Sequence, residues 1–81
     1  MELSAATWAC DRFEGIAWGF VQNGKGNTAN HVKGAVKLAR RWGASTEQVT
    51  ERVKHVSEFA YQPDPQRIEE LPRIVEKELQ V

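Results

Sequence analysis

Lys33, Lys37, Arg40 and Arg41 form the clearest chemical pattern in the chain. Residues three and four apart share one face of an α-helix. These four therefore make a positive stripe, suited to an acidic protein surface or a phosphate backbone. Trp8 and Trp18 are the second group of interest. Tryptophan is enriched among the residues that dominate binding interfaces, and both lie off the main apolar arc of the segment that carries them. These six residues are the candidate contacts for a protein or nucleic-acid partner.

Groups able to catalyse or to hold a metal are sparse. Cys10, His31 and His55 stand on three different expected helices, whereas a zinc site needs three or four converging ligands. No metal is expected. Cys10 falls on an apolar arc, where a thiol is inert, and no serine stands near a histidine in a nucleophile–base pattern. Gly24, Lys25, Gly26 and Asn27 precede an expected helix start, a place where free N–H groups can hold an anion. Their spacing is not that of a nucleotide-binding P-loop, and they read as a flexible turn. Glu69, Glu70, Glu76 and Glu78 read as a solvated helix face. No enzymatic activity, cofactor or small-molecule substrate is expected.

The 81 residues suffice for one small domain, residues 1–81. Eleven Lys and Arg balance eleven Asp and Glu, which argues against a strongly basic nucleic-acid protein and against an acidic DNA mimic. The charge is nevertheless uneven. Residues 28–56 carry six basic groups against two acidic ones, and residues 57–81 carry three against six. The single cysteine excludes an internal disulfide. The start, Met1-Glu2-Leu3-Ser4, lacks the basic stretch and apolar run of a signal peptide. No segment approaches the roughly 20 apolar residues that a membrane span needs. A cytoplasmic location and no membrane contact are expected.

Four helical segments must position these side chains. The first is expected over residues 3–22, ending at the turn formers Asn23 to Asn27. At ~100° per residue, Ala5, Ala6, Ala9, Cys10, Phe13, Ile16, Ala17 and Phe20 share one arc. The rest carries Trp8, Trp18, Gly15 and Gly19, relieved by Ser4, Asp11 and Arg12, so cover is expected on both flanks. The two glycines, four apart, would let another helix approach closely.

A second helix is expected after Asn27 or Thr28, with Val32, Ala35, Val36, Ala39 and Trp42 inward and Gly43 as its stop. Ser45 and Gln48 read as a capping box for a third. That helix turns Val49, Val53, Val56 and Ala60 or Phe59 inward and ends before Pro63. Asp64-Pro65 restarts the chain as a fourth, where Pro72 predicts a kink or two short helices.

Residues 35–54 resemble a helix-turn-helix unit, the DNA-binding motif of many bacterial and phage repressors. Ala39, Gly43 and Val49 take the small, turning and branched apolar positions of that motif, with Leu38 and Trp42 as flanking apolar residues. The resemblance implies a second helix that enters a DNA major groove. Arg52 stands where the motif has another core residue, and Val53 is the alternative core position. The face toward DNA would also include Glu47 and Glu51, two carboxylates before a phosphate-lined groove.

The expected architecture is all-α, a compact bundle of about four helices with a long central first helix. The expected function is non-catalytic: a small regulatory or accessory protein, of the kind that inhibits or adapts by docking on a protein partner or a second copy. A helix-turn-helix DNA-binding regulator is the alternative.

Overall fold

The structure is a computed structural model that describes residues 4–22 and 26–80. Expectations about Leu3, Asn23, Gly24 and Lys25 concern residues outside that range. Four helices follow one another: α1 (Ala5–Val21), α2 (Ala29–Arg41), α3 (Thr46–Phe59) and α4 (Pro65–Leu79). The all-α bundle is as expected. Among the described residues the one extended feature is an isolated antiparallel bridge between Gln22 and Pro63.

Short-range chemistry fixes each helix start. The Ser4 hydroxyl accepts from the Thr7 N–H at 3.0 Å and caps α1. At α2 the Thr28 N–H donates to Nδ1 of His31 at 2.9 Å, so a histidine ring closes the first turn. Ser45 and Gln48 form the reciprocal capping box of α3, at 3.1 and 2.8 Å. Asp64 accepts from the N–H groups of Gln66 and Arg67, with Pro65 in the first position of α4.

The end of α2 is a Schellman motif. Gly43 takes a φ of +94°, the Ala44 N–H reaches back to the Ala39 carbonyl at 2.9 Å, and the Gly43 N–H reaches that of Arg40 at 3.1 Å. Ala39 and Ala44, its two apolar partners, are buried.

Side-chain contacts set the helix directions. Trp8 meets Trp42, and Ile16 meets Asn27, so α2 runs antiparallel to α1. Asp11, Glu14 and Trp18 meet Arg52 and His55 in ascending order, so α3 runs with α1. The Asp64 N–H donates to the Val21 carbonyl, and Glu78 lies beside Arg40 and Arg41, so α4 runs with α2. Overall extents of 34 × 30 × 20 Å make a slab two helix diameters thick. The first helix packs against all three others, whereas α2 and α3 touch least.

The core is Phe13, Ala17, Phe20 and Val21 of α1, Val32 and Val36 of α2, Val49 and Val56 of α3, and Leu71 and Val75 of α4. Burying each larger side chain contributes about 1.5–3 kcal/mol. No described buried polar side-chain atom lacks a partner.

Two expectations are corrected, and a third, open between two residues, is decided. Trp42 is not inward but 43% exposed, because α2 stops at Arg41 and leaves it at the cap, beyond the last core turn. Of Phe59 and Ala60, Ala60 packs on the core and Phe59 is 63% exposed. The fourth helix continues through Pro72 as one element and not as two short helices. That proline is on the exposed side, while Ile68, Leu71, Ile74 and Val75 hold the other side on the core.

Candidate binding surface

The glycines of α1 do not admit a helix. A methyl group at Gly15 would meet nothing within 4 Å, and Gly19 faces the side chain of Asn27, which donates to the Ile16 carbonyl. The apolar circumference of α1 is instead divided. Its broad arc is covered by the other helices, and its far side is partly open.

The two early tryptophans have different surroundings. Trp18 is half-buried and packs on the core, its Nε1–H donating to Oε2 of Glu14 at 3.3 Å and its ring meeting the His55 ring edge-on. Glu14 also accepts from Nδ1 of His55 at 3.0 Å and from Arg52 at 3.4 Å, while Arg52 binds Asp11. This cluster ties α3 to α1 and accounts for Trp18, Arg52 and His55 inside the fold. Burial works against the Arg52 charge, but the bond to Asp11 and the charges of Asp11 and Glu14 outweigh it and raise its pKa. Val53 takes the core position beside it.

Trp8 is 44% exposed. It stacks on Trp42 with ring centroids 5.2 Å apart and planes 27° from parallel, and the Arg12 guanidinium lies 6.0 Å from its ring. Each indole thus shields one face of the other and leaves the remainder in water. Sequence spacing could not pair them, since their 34-residue separation closes only when α2 folds back along α1.

The basic stripe borders this pair. Lys37, Arg40 and Arg41 line a shallow concavity of about 480 Å³ with Val36 and Glu78. Lys33, on the same side of α2, is half-buried and stands outside that lining. Arg40 turns back, its Nη1 donating to the Ala44 carbonyl at 3.1 Å, and so helps to close the α2–α3 turn. Among the described residues none of the four is in an ion pair; those present join Arg52 to Asp11 and Glu14, His55 to Glu14, and Arg73 to Glu69. The candidate set therefore splits, with Trp8, Lys37, Arg40 and Arg41 near one end of the α1–α2 pair and Trp18 in the α1–α3 cluster.

No family model, curated protein or solved structure matches this chain. The reading of the surface rests on its own geometry.

Among the described residues no three His, Cys, Asp or Glu side chains converge to hold a metal ion. No described helix is long and apolar enough to cross a membrane. Burial pushes the Cys10 thiol up, only partly opposed by Arg52, so little thiolate forms at neutral pH. Besides Trp8 and Trp42, Phe59 and Tyr61 are the other large exposed apolar side chains among the described residues, and Phe59 leans on His55. A smaller groove between α3 and α4, about 260 Å³, is lined mainly by Val53, Pro72, Val75 and Leu79. Sequence reasoning passed over Arg67, which donates to the carbonyls of Phe20 and Asn27 from over the Phe20 ring.

Proposed function

We propose that this protein works without catalysis, as a small regulatory or accessory protein that docks on another macromolecule, a protein in the first place. The observation that carries this reading is the Trp8–Trp42 pair, two large indoles held in fixed register at the surface and each more than two-fifths exposed. Rigid aromatic side chains with exposed apolar area act as anchors because they lose little conformational entropy on binding. The cations of α2 flank the pair and can steer and orient a partner.

The test is capture from native lysate by the immobilised chain. A partner should be retained by the wild type and lost with the Trp8→Ala/Trp42→Ala double variant, while Arg73→Ala retains it. Equal retention by the double variant, or no retained partner at all, overturns the docking reading.

DNA binding is the second reading. It is favoured by the buried Ala39, the positive φ of Gly43 and the buried Val49, each at the position that a helix-turn-helix unit uses. The slight contact between α2 and α3 and the exposed Glu47 and Glu51 weigh against it. On this reading a duplex fragment is retarded in a gel at low salt, added salt weakens the complex steeply, and Arg40→Glu/Arg41→Glu abolishes it. Absence of retardation at low salt removes it.

A further inference from the structure

The docking surface continues from the indole pair across the whole solvent side of α2, and its make-up specifies a partner. From Trp42, at ~100° per residue, Leu38, Gly34, Arg41 and Lys37 follow one another around the helix in steps of roughly 20–40°. Leu38 is half-buried, and the other three of these are exposed. Viewed down the helix, an apolar margin at Trp42 and Leu38 thus gives way to the bare backbone of Gly34 and then to a positive margin, with Gly34 two turns ahead of Trp42 along the axis.

Gly34 is the informative residue in that sequence. It sits in the interior of α2, where glycine costs about 1 kcal/mol relative to alanine, and a methyl group there would meet nothing within 4 Å. Neither packing nor backbone conformation inside this chain requires it. It lies about 12 Å along α2 from Trp42, one turn beyond Lys37, so it admits the backbone of a bound segment that runs on from the indoles past the cations.

Charge then selects the class of segment. Lys37 and Arg41 are in no ion pair among the described residues, and Asp11, the carboxylate nearest Trp8 in sequence, is engaged by Arg52. A long phosphate backbone suits the surface poorly. Glu78 beside Lys37 and Arg41 repels phosphate and carboxylate alike, so the indoles decide: stacked on each other, they leave no slot between them for a base. The geometry points to an acidic peptide segment of a partner protein, with an apolar side chain against Trp8 and Trp42, its backbone over Gly34 and its carboxylates on Lys37 and Arg41. This rests on the docking reading and adds the chemistry of the partner.

The experiment is a titration of the full chain, read by fluorescence anisotropy, with three labelled probes. They are a glutamate-rich dodecapeptide carrying one leucine and one phenylalanine, the same peptide with glutamine for every glutamate, and a twelve-nucleotide oligothymidylate. The acidic peptide should bind at least ten-fold more tightly than the other two and weaken as salt is raised. Lys37→Glu/Arg41→Glu should weaken it at least ten-fold. Gly34→Gln should raise the melting temperature and still weaken binding several-fold, a pairing that damage to the fold cannot produce.

Equal binding of the glutamine peptide, tighter binding of the oligonucleotide, or no effect of the charge reversal overturns the inference. Failure here is separable from failure of docking itself. A lysate partner that is lost with the Trp8→Ala/Trp42→Ala variant but retained by the charge-reversed one leaves docking standing and removes the acidic segment.

Discussion

Three glycines in this chain are of two kinds, and substitution tells the kinds apart. Gly43 holds a φ of +94° in the turn after α2, where a side chain is strained. Gly43→Ala should lower stability by about 1 kcal/mol or more, measured by urea denaturation. Gly15 and Gly34 have helical neighbours on both sides and open space where a Cβ would go. Alanine at either should stabilise by roughly 0.5–1 kcal/mol, and a loss of stability there would reveal a contact that the fold does not contain. Cys10 makes a comparable case for chemistry. Burial favours its neutral thiol, so alkylation at neutral pH should be far slower in the native chain than in urea. The sign for stability follows: the contribution is whole below the ordinary thiol range and is lost as pH rises through and above it.

At the scale of elements, what could be read from sequence was whatever neighbouring residues decide. Ser45 with Gln48, Asp64 with Pro65, and Gly43 each lie within a few residues of the backbone groups they satisfy, so the start of α3, the start of α4 and the end of α2 were legible. Val32, Val36, Val49 and Val56 were legible as core by their period. The misplaced residues stand where an element ends or where a distant one must arrive. Trp42 has the period of the core but follows the last helical residue, and the choice between Phe59 and Ala60 stayed open because it falls at the end of α3. Arg67 shows no local signal, because the carbonyls it binds lie 47 and 40 residues away. It joins α4 to the end of α1 and to the residue before the α2 cap. Arg67→Ala should cost about 1–2 kcal/mol, and Arg67→Lys should recover only part, since an ammonium cannot reproduce the guanidinium's planar fork. An unchanged urea midpoint in Arg67→Ala would show that this tie contributes nothing.

Taken as a whole, the molecule spends its interior on packing and leaves its recognisable chemistry outside. The glutamate at position 14 gathers Trp18, Arg52 and His55 into a brace between α1 and α3, which removes one tryptophan from the candidate surface. Trp8 and Trp42 remain, brought together by the antiparallel return of α2 and bordered by Lys37, Arg40 and Arg41. The stripe was legible because one helix carries it. The indole pair was not, because two helices make it. Separation of the roles of the three tryptophans is therefore the central claim, and indole N–H resonances in a nitrogen-15 correlation spectrum report on each ring individually. On addition of the partner captured from lysate, the signals of Trp8 and Trp42 should shift or broaden while that of Trp18 stays in place. Movement of Trp18 alone, with Trp8 and Trp42 unperturbed at saturation, would contradict the account.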